Sequence, residues 1–214
     1  MRKAFIAITS CALVCIVASG CTAIALGGAT YATTAAVGTI VDRRTTGTIV
    51  DDTFLEKKLS NEIDQGLGKE NKEHITVTAY NRRVLLTGEV PSEQAKSLAM
   101  TIVSNNKDVR EVINELRVQE NAGFFERMGD SALATKVRAR IIADQKVELN
   151  QMKVAVDRGI VYLIGILTAQ ENKRVCQIAA STSGVARVVS CVEIVTEKEI
   201  KERMKFVQEQ QSVQ

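Results

Sequence analysis

"ITVTAYNRRVLLTGEV" (75–90) and "MKVAVDRGIVYLIGIL" (152–167) decide the fold. Laid over one another, Val77 falls on Val154, Val84 on Val161, Leu86 on Leu163 and Gly88 on Gly165, at an offset of 77 residues. Each stretch holds two runs of period two, parted by Asn81–Arg82 or Arg158–Gly159. Period two means half-buried strands, and a two-residue break means a hairpin. The chain therefore repeats one unit, and the repeat sets the frame for everything around it.

Upstream, "DTFLEKKLSNEI" (52–63) aligns with "DSALATKVRARI" (130–141). Leu55, Leu59 and Ile63, like Leu133, Val137 and Ile141, recur at helical spacing. Asp52 and Asp130 read as the N-caps of these helices. Downstream, a second helix is expected over about 92–105 and 169–182, and a last strand over about 109–118 and 185–195. The expected fold is α+β: two tandem α-β-β-α-β domains, each a three-stranded sheet with two helices on one face. Gly88 and Gly165 lie inside a strand, where glycine marks a close backbone approach. They read as structural glycines, because no G-x-G-x-x-G surrounds them.

The chain opens "MRK", runs through an apolar stretch too short to span a bilayer, and reaches Ala18, Ser19, Gly20 and Cys21. Charge, short apolar run and small residues are the layout of a secretory signal peptide. The ending resembles the bacterial lipobox, although Ala18 stands where leucine is commoner. That resemblance implies cleavage before Cys21 and acylation of its thiol and new amine. Thr22, in place of Asp, implies the outer membrane. The division expected is 1–20 signal peptide, 21–50 an Ala/Thr/Gly-rich tether, 51–118 first domain, 119–129 linker, 130–196 second domain and 197–214 a C-terminal polar helix or tail. In that tail Ile200, Met204 and Val207 form a narrow apolar stripe suited to docking.

The α-β-β-α-β order, the glycine of "VLLTGEV" and "VYLIGIL", and the closing "V-x-x-V-x-x-x-L/V-x-V/I" resemble the BON domain. Two copies behind a lipobox, with "DRRTTGTIVDDTFLE" (42–56) ahead of the first, are similar to the dual-BON outer-membrane lipoproteins. The resemblance covers about residues 42–195. It implies attachment to anionic phospholipids such as phosphatidylglycerol or cardiolipin, a place on the periplasmic face of the outer membrane, and a role in outer-membrane integrity.

Composition excludes more than it assigns. Lys and Arg number 28 against 25 Asp and Glu, and losing Arg2 and Lys3 with the signal leaves 26 against 25. Residues 51–118 hold 10 basic and 12 acidic side chains, residues 130–196 hold 9 and 6. No Trp and few aromatics argue against a nucleic-acid stacking surface. The lone His74 has no Cys or His at metal spacing, so no metal is expected. No nucleophile, base and orienter are suitably arranged, so neither a catalytic site nor a cofactor is expected. Cys176 and Cys191 could pair in an oxidising compartment or stay free, half-buried thiols.

The helix "SALATKVRARIIADQK" (131–146) carries Lys136, Arg138, Arg140 and Lys146, with Lys136 and Arg140 on one face. A basic amphipathic helix suits a membrane surface, and four positive charges on a helix equally suit a solvated face. Expected phospholipid contacts are Leu133, Lys136, Arg138 and Arg140, joined by Phe124 and Phe125 if these touch lipid rather than fill the seam between domains. The alternative function is an adaptor docking on envelope proteins such as the machinery that assembles outer-membrane β-barrels. A third is a soluble osmotic-stress protein of the periplasm.

Overall fold

The computed structural model describes residues 42–68 and 74–212; the signal segment, Cys21 and the tether up to Val41 lie outside the described residues. In the first domain α1 (Thr46–Leu67) is followed by β1 (His74–Tyr80), β2 (Arg83–Val90), α2 (Glu93–Ser104), β3 (Glu111–Asn114) and β4 (Arg117–Val118). The second repeats this with α3 (Phe124–Asp144), a 3-10 turn (Leu149–Gln151), β5 (Met152–Asp157), β6 (Ile160–Leu167), α4 (Ala169–Ala180), β7 (Arg187–Ser190) and β8 (Glu193–Ile194). A last helix, α5 (Glu197–Ser212), follows.

Each hairpin is antiparallel, and the final strand runs parallel to the hairpin's second strand. That final strand comes in two pieces, β3 with β4 and β7 with β8, both pieces pairing with the same central strand. The break is a bulge: across it Glu115 N still donates to the Leu86 carbonyl at 2.9 Å, and Cys191 N to that of Leu163 at 2.7 Å. The bulge re-aims Leu116 into the core.

The hairpin turns put Asn81, Arg82, Arg158 and Gly159 at positive φ, the geometry of a type I′ turn. Three of these are not glycine, and such backbone needs support from its surroundings. Asp52 gives it, accepting from Asn81 N (2.7 Å) and Arg82 N (2.9 Å); Asp130 does the same for Arg158 N (2.7 Å) and Gly159 N (2.9 Å). The N-cap assignment of these two residues is thereby corrected. Each is the seventh residue of a longer helix. Thr45 caps α1 by accepting from Thr48 N, and α3 starts after Gly123, whose N–H is held by Glu126. The first turn of α3 thus falls within the stretch read as linker.

Helices cover one face of each sheet. Leu55, Leu59, Ile63, Ala99 and Val103 pack on Val77, Val84, Leu86 and Val90; Val137, Ile141, Val175 and Ala179 pack on Val154, Val161 and Leu163. The close approach at the structural glycines is real. A Cβ on Gly88 would stand 1.8 Å from the His74 carbonyl oxygen, and one on Gly165 2.4 Å from that of Gln151.

The other faces of the two sheets meet. Tyr80, Leu85 and Ile113 of the first domain join Ile160, Tyr162, Ile164, Ile166, Cys191 and Val195 of the second in one cluster. Ile164 and Ile166 have no exposed surface, and burying each is worth roughly 1.5–3 kcal/mol. The domains lie head to tail. At one end Arg158 donates to Glu89 (2.7 Å) and Arg117 to Asp157; at the other Arg110 pairs with Glu193, and Arg83 donates to the Cys191 carbonyl (2.8 Å). The segment ahead of α1 clips both domains. Arg43 binds Glu171 through two bonds (2.7 and 2.9 Å) and the Ile166 carbonyl, while Arg44 pairs with Asp42 and Asp52 and stacks 3.8 Å above the Tyr80 ring.

The two thiols are free. Cys191 faces the interdomain cluster, whereas Cys176 packs on the helix side of the second sheet. The sheet itself separates them. Val207 and Ile200 turn α5 inward, and Arg203 fastens it to Glu193 at 2.7 Å.

Candidate functional site

The helix α3 presents two apolar faces. Ala134, Val137 and Ile141 enter the core. On the opposite side Phe124, Phe125, Met128, Ala132, Thr135, Ala139 and Ile142 are all exposed. At 3.6 residues per turn these seven fall within an arc of about 100°, a stripe along the whole helix. Its large members are 66 % exposed at Phe124, 81 % at Phe125, 56 % at Met128 and 59 % at Ile142. The two phenyl rings lie edge to face, centroids 5.6 Å apart. Solvent-facing apolar residues scattered singly are ordinary; a continuous stripe with this many large members marks an interaction surface.

Basic residues line both flanks of the stripe. Arg127 and Arg138 run along the side toward β5, and Arg138 donates to the Val154 carbonyl. Lys136 and Arg140 run along the other side. Lys136 donates to the Ser183 carbonyl (2.9 Å) and Arg140 to Thr182 Oγ1 (2.8 Å) and Ser181 Oγ (3.1 Å), just beyond the end of α4. Cations near the last turn of a helix are favoured by its dipole. All four basic side chains remain exposed. The structure thus splits the expected basic set between two flanks. Leu133 lies off the stripe, half-buried against the second core and close to Gly184.

Met128, Ala132, Ala139 and Ile142 were legible as part of this surface only once Phe124–Met128 was known to be helical. The spacing 125, 128, 132, 135, 139, 142 is present in the sequence. Reading residues 119–129 as linker cut it short.

The corresponding face of α1 differs. Val50 (47 % exposed) and Phe54 (67 %) stand there, but Lys57 and Asn61 follow at the next turns and Asp51 lies beside them. That is a short patch with charges of both signs, not a stripe.

Among the described residues no group of three or more His, Cys, Asp or Glu is placed to hold a metal ion. No described helix is long and apolar enough to cross a membrane.

The model of the "BON domain" family matches residues 51–120 and again 129–196. The chain belongs to the BON-domain family. It carries two BON domains in tandem and is similar over most of its length to "Outer membrane lipoprotein DolP" of Haemophilus influenzae, with 34 % identity over 79 % of this chain and 86 % of that one. It is 30 % identical to the "21 kDa hemolysin" of Actinobacillus pleuropneumoniae, over 72 % of this chain and 80 % of that one. "Osmotically-inducible protein Y" of Escherichia coli is 27 % identical over 53 % of this chain and 58 % of its own length. The exposed stripe belongs to the first helix of the second BON domain.

Proposed function

We propose that this dual-BON protein is a non-enzymatic outer-membrane lipoprotein, anchored through acylated Cys21 on the periplasmic face. Its second BON domain lays α3 on anionic phospholipid and so supports outer-membrane integrity. The stripe of α3 carries the reading. Apolar side chains between two basic flanks are what a helix lying in a membrane interface requires: the stripe enters the boundary of the acyl region while Arg127, Arg138, Lys136 and Arg140 stay at headgroup level. Each basic residue near an anionic surface adds roughly 1 kcal/mol, screened by salt. An acyl anchor would hold the chain at the surface and raise the local concentration of α3 there. Similarity to the outer membrane lipoprotein of Haemophilus influenzae supports the localisation.

The test is sedimentation of the chain lacking residues 1–20 and carrying Cys21→Ser with vesicles of phosphatidylcholine alone or with phosphatidylglycerol or cardiolipin. Binding is expected only with the anionic lipids and should weaken as salt rises. Lys136→Glu/Arg140→Glu should weaken it too. Equal or absent binding to all vesicles sinks the proposal.

A second reading is favoured by the patch on α1. Val50 and Phe54 are exposed, and Asp51, Lys58, Arg82 and Asp108 surround Phe54 with charges of both signs, which suits a protein surface better than an anionic bilayer. Through this patch the first BON domain would dock on envelope proteins such as the β-barrel assembly machinery. Crosslinking from residue 54 in envelopes distinguishes the two: a single protein adduct supports docking, and none removes it.

A further inference from the structure

Beside the stripe of α3 a groove of about 740 Å³ opens between the domains. One wall is β1 with its neighbour on β2, the other is β5, and α3 forms the rim. Thr135 belongs to both the stripe and the groove wall, so the groove opens where α3 would meet a membrane.

Its lining combines hydroxyls with cations. Hydroxyls come from Thr76, Thr78 and Thr87, on the sheet face that looks toward the second domain. Cations come from Arg127, Arg138 and Lys153. The carboxylates of the groove are engaged within the protein. Glu56 accepts from Ala79 N (2.7 Å) and Lys153 (2.8 Å), Asp130 supports the hairpin turn, and Asp157 is held by Arg117. The Arg127 guanidinium has no partner among the described residues, and Arg138 spends one of its nitrogens on Val154. His74 Nδ1, also on the groove wall, is buried without a hydrogen-bond partner among the described residues, 3.6 Å from Glu89. A guanidinium free to pair bidentately is suited to a phosphodiester, and threonine hydroxyls to neighbouring alcohol groups.

We propose that this groove binds the headgroup of an anionic phospholipid that carries hydroxyls, a glycerol phosphodiester, while the acyl chains of the same lipid lie along the α3 stripe. The inference rests on the membrane-surface reading above and deepens it. The stripe and flanks supply affinity for any anionic surface; the groove supplies preference among anionic lipids.

The test uses the unacylated chain with Cys21→Ser in two measurements. In the first, amide resonances are followed on adding glycerophosphoglycerol, the deacylated headgroup of phosphatidylglycerol, or inorganic phosphate. The headgroup should shift Thr76, Thr78 and Ala155, phosphate should shift them less, and Arg127→Ala/Arg138→Ala should abolish the response. In the second, binding is compared on phosphatidylglycerol and phosphatidic acid vesicles of matched surface charge. The unsubstituted chain should prefer phosphatidylglycerol about five-fold, the value of one hydrogen bond to a hydroxyl. Thr76→Val/Thr87→Val should lose that preference, its binding to phosphatidylglycerol falling to the level seen with phosphatidic acid. Equal binding to both lipids with a silent groove overturns the headgroup site and leaves the membrane reading intact. No binding to any vesicle overturns both. Equal response to phosphate and headgroup makes the groove a free-anion site and overturns its assignment to lipid.

Discussion

Replacing both phenyl rings at the start of α3 gives the sharpest check on membrane contact. Fully burying a Phe side chain is worth about 2.5 kcal/mol. Phe124 is still 66 % exposed and Phe125 81 % exposed, so most of that gain is unspent in the free protein. Insertion to headgroup depth that removes about half the remaining surface yields roughly 2 kcal/mol for the pair, a factor of about 30 in partition coefficient. Neither ring supports the core, so Phe124→Ser/Phe125→Ser should leave stability within about 0.5 kcal/mol. The assay is flotation of the unacylated chain with phosphatidylglycerol vesicles at a series of lipid concentrations. Phe206→Ser serves as control, because that ring is 55 % exposed on α5, away from the stripe. The reasoning fails if the double variant partitions within about three-fold of the unsubstituted chain, or if the control loses as much.

Asp52→Ala should lower the unfolding temperature by about 6–12 °C in calorimetry, because it leaves two turn N–H groups unpaired and takes one of the two carboxylate partners of Arg44, which keeps Asp42, at roughly 3 kcal/mol. Gly88→Ala should cost more than Gly165→Ala, since Gly88 adds a φ of 116° to its backbone clash; equal melting temperatures would contradict this. Acidification should loosen the interdomain contacts. Burial acts to raise the carboxyls of Glu89, Glu171 and Glu193, but the hydrogen bonds and charges of Arg158, Arg43 and Arg110 outweigh it and hold all three below the ordinary 4.5. A carboxyl depressed on folding lends stability above its unfolded value and loses it as pH falls through the folded one. Asp157 runs the other way: burial and Glu89 raise its carboxyl, so it favours the folded state at low pH. Three against one, the melting temperature should fall below about pH 4.5, and Glu89→Gln should flatten the fall; a curve level from pH 7 to pH 3 would refute it.

Most of the α+β architecture was legible in the sequence because both of its signals are local. A period of two with a two-residue break prescribes a hairpin, and Leu55, Leu59 and Ile63 recurring at helical spacing prescribe a buried helix face. Duplication checked each signal against a second copy. Gly88 and Gly165 could be read the same way, since a glycine inside a strand gives up side-chain packing and is kept where another backbone passes too close for a Cβ.

Tertiary structure decided what depends on residues far apart. Asp52 and Asp130 look like N-caps, because an acidic residue before an apolar helical run is where a cap belongs. Only the folded chain shows each carboxylate reaching a hairpin turn nearly 30 residues on, at Asn81 and Arg158. In each case the helix begins six residues before that carboxylate. The earlier start converted Phe124, Phe125 and Met128 from linker into the head of a stripe. The alternate residues of β6, Ile160, Tyr162, Ile164 and Ile166, announce that both faces of the second sheet are buried, but not against what. Sequence pattern fixes which face of an element is apolar; which partner covers that face, and which face stays exposed, is set by the packing of the two domains head to tail.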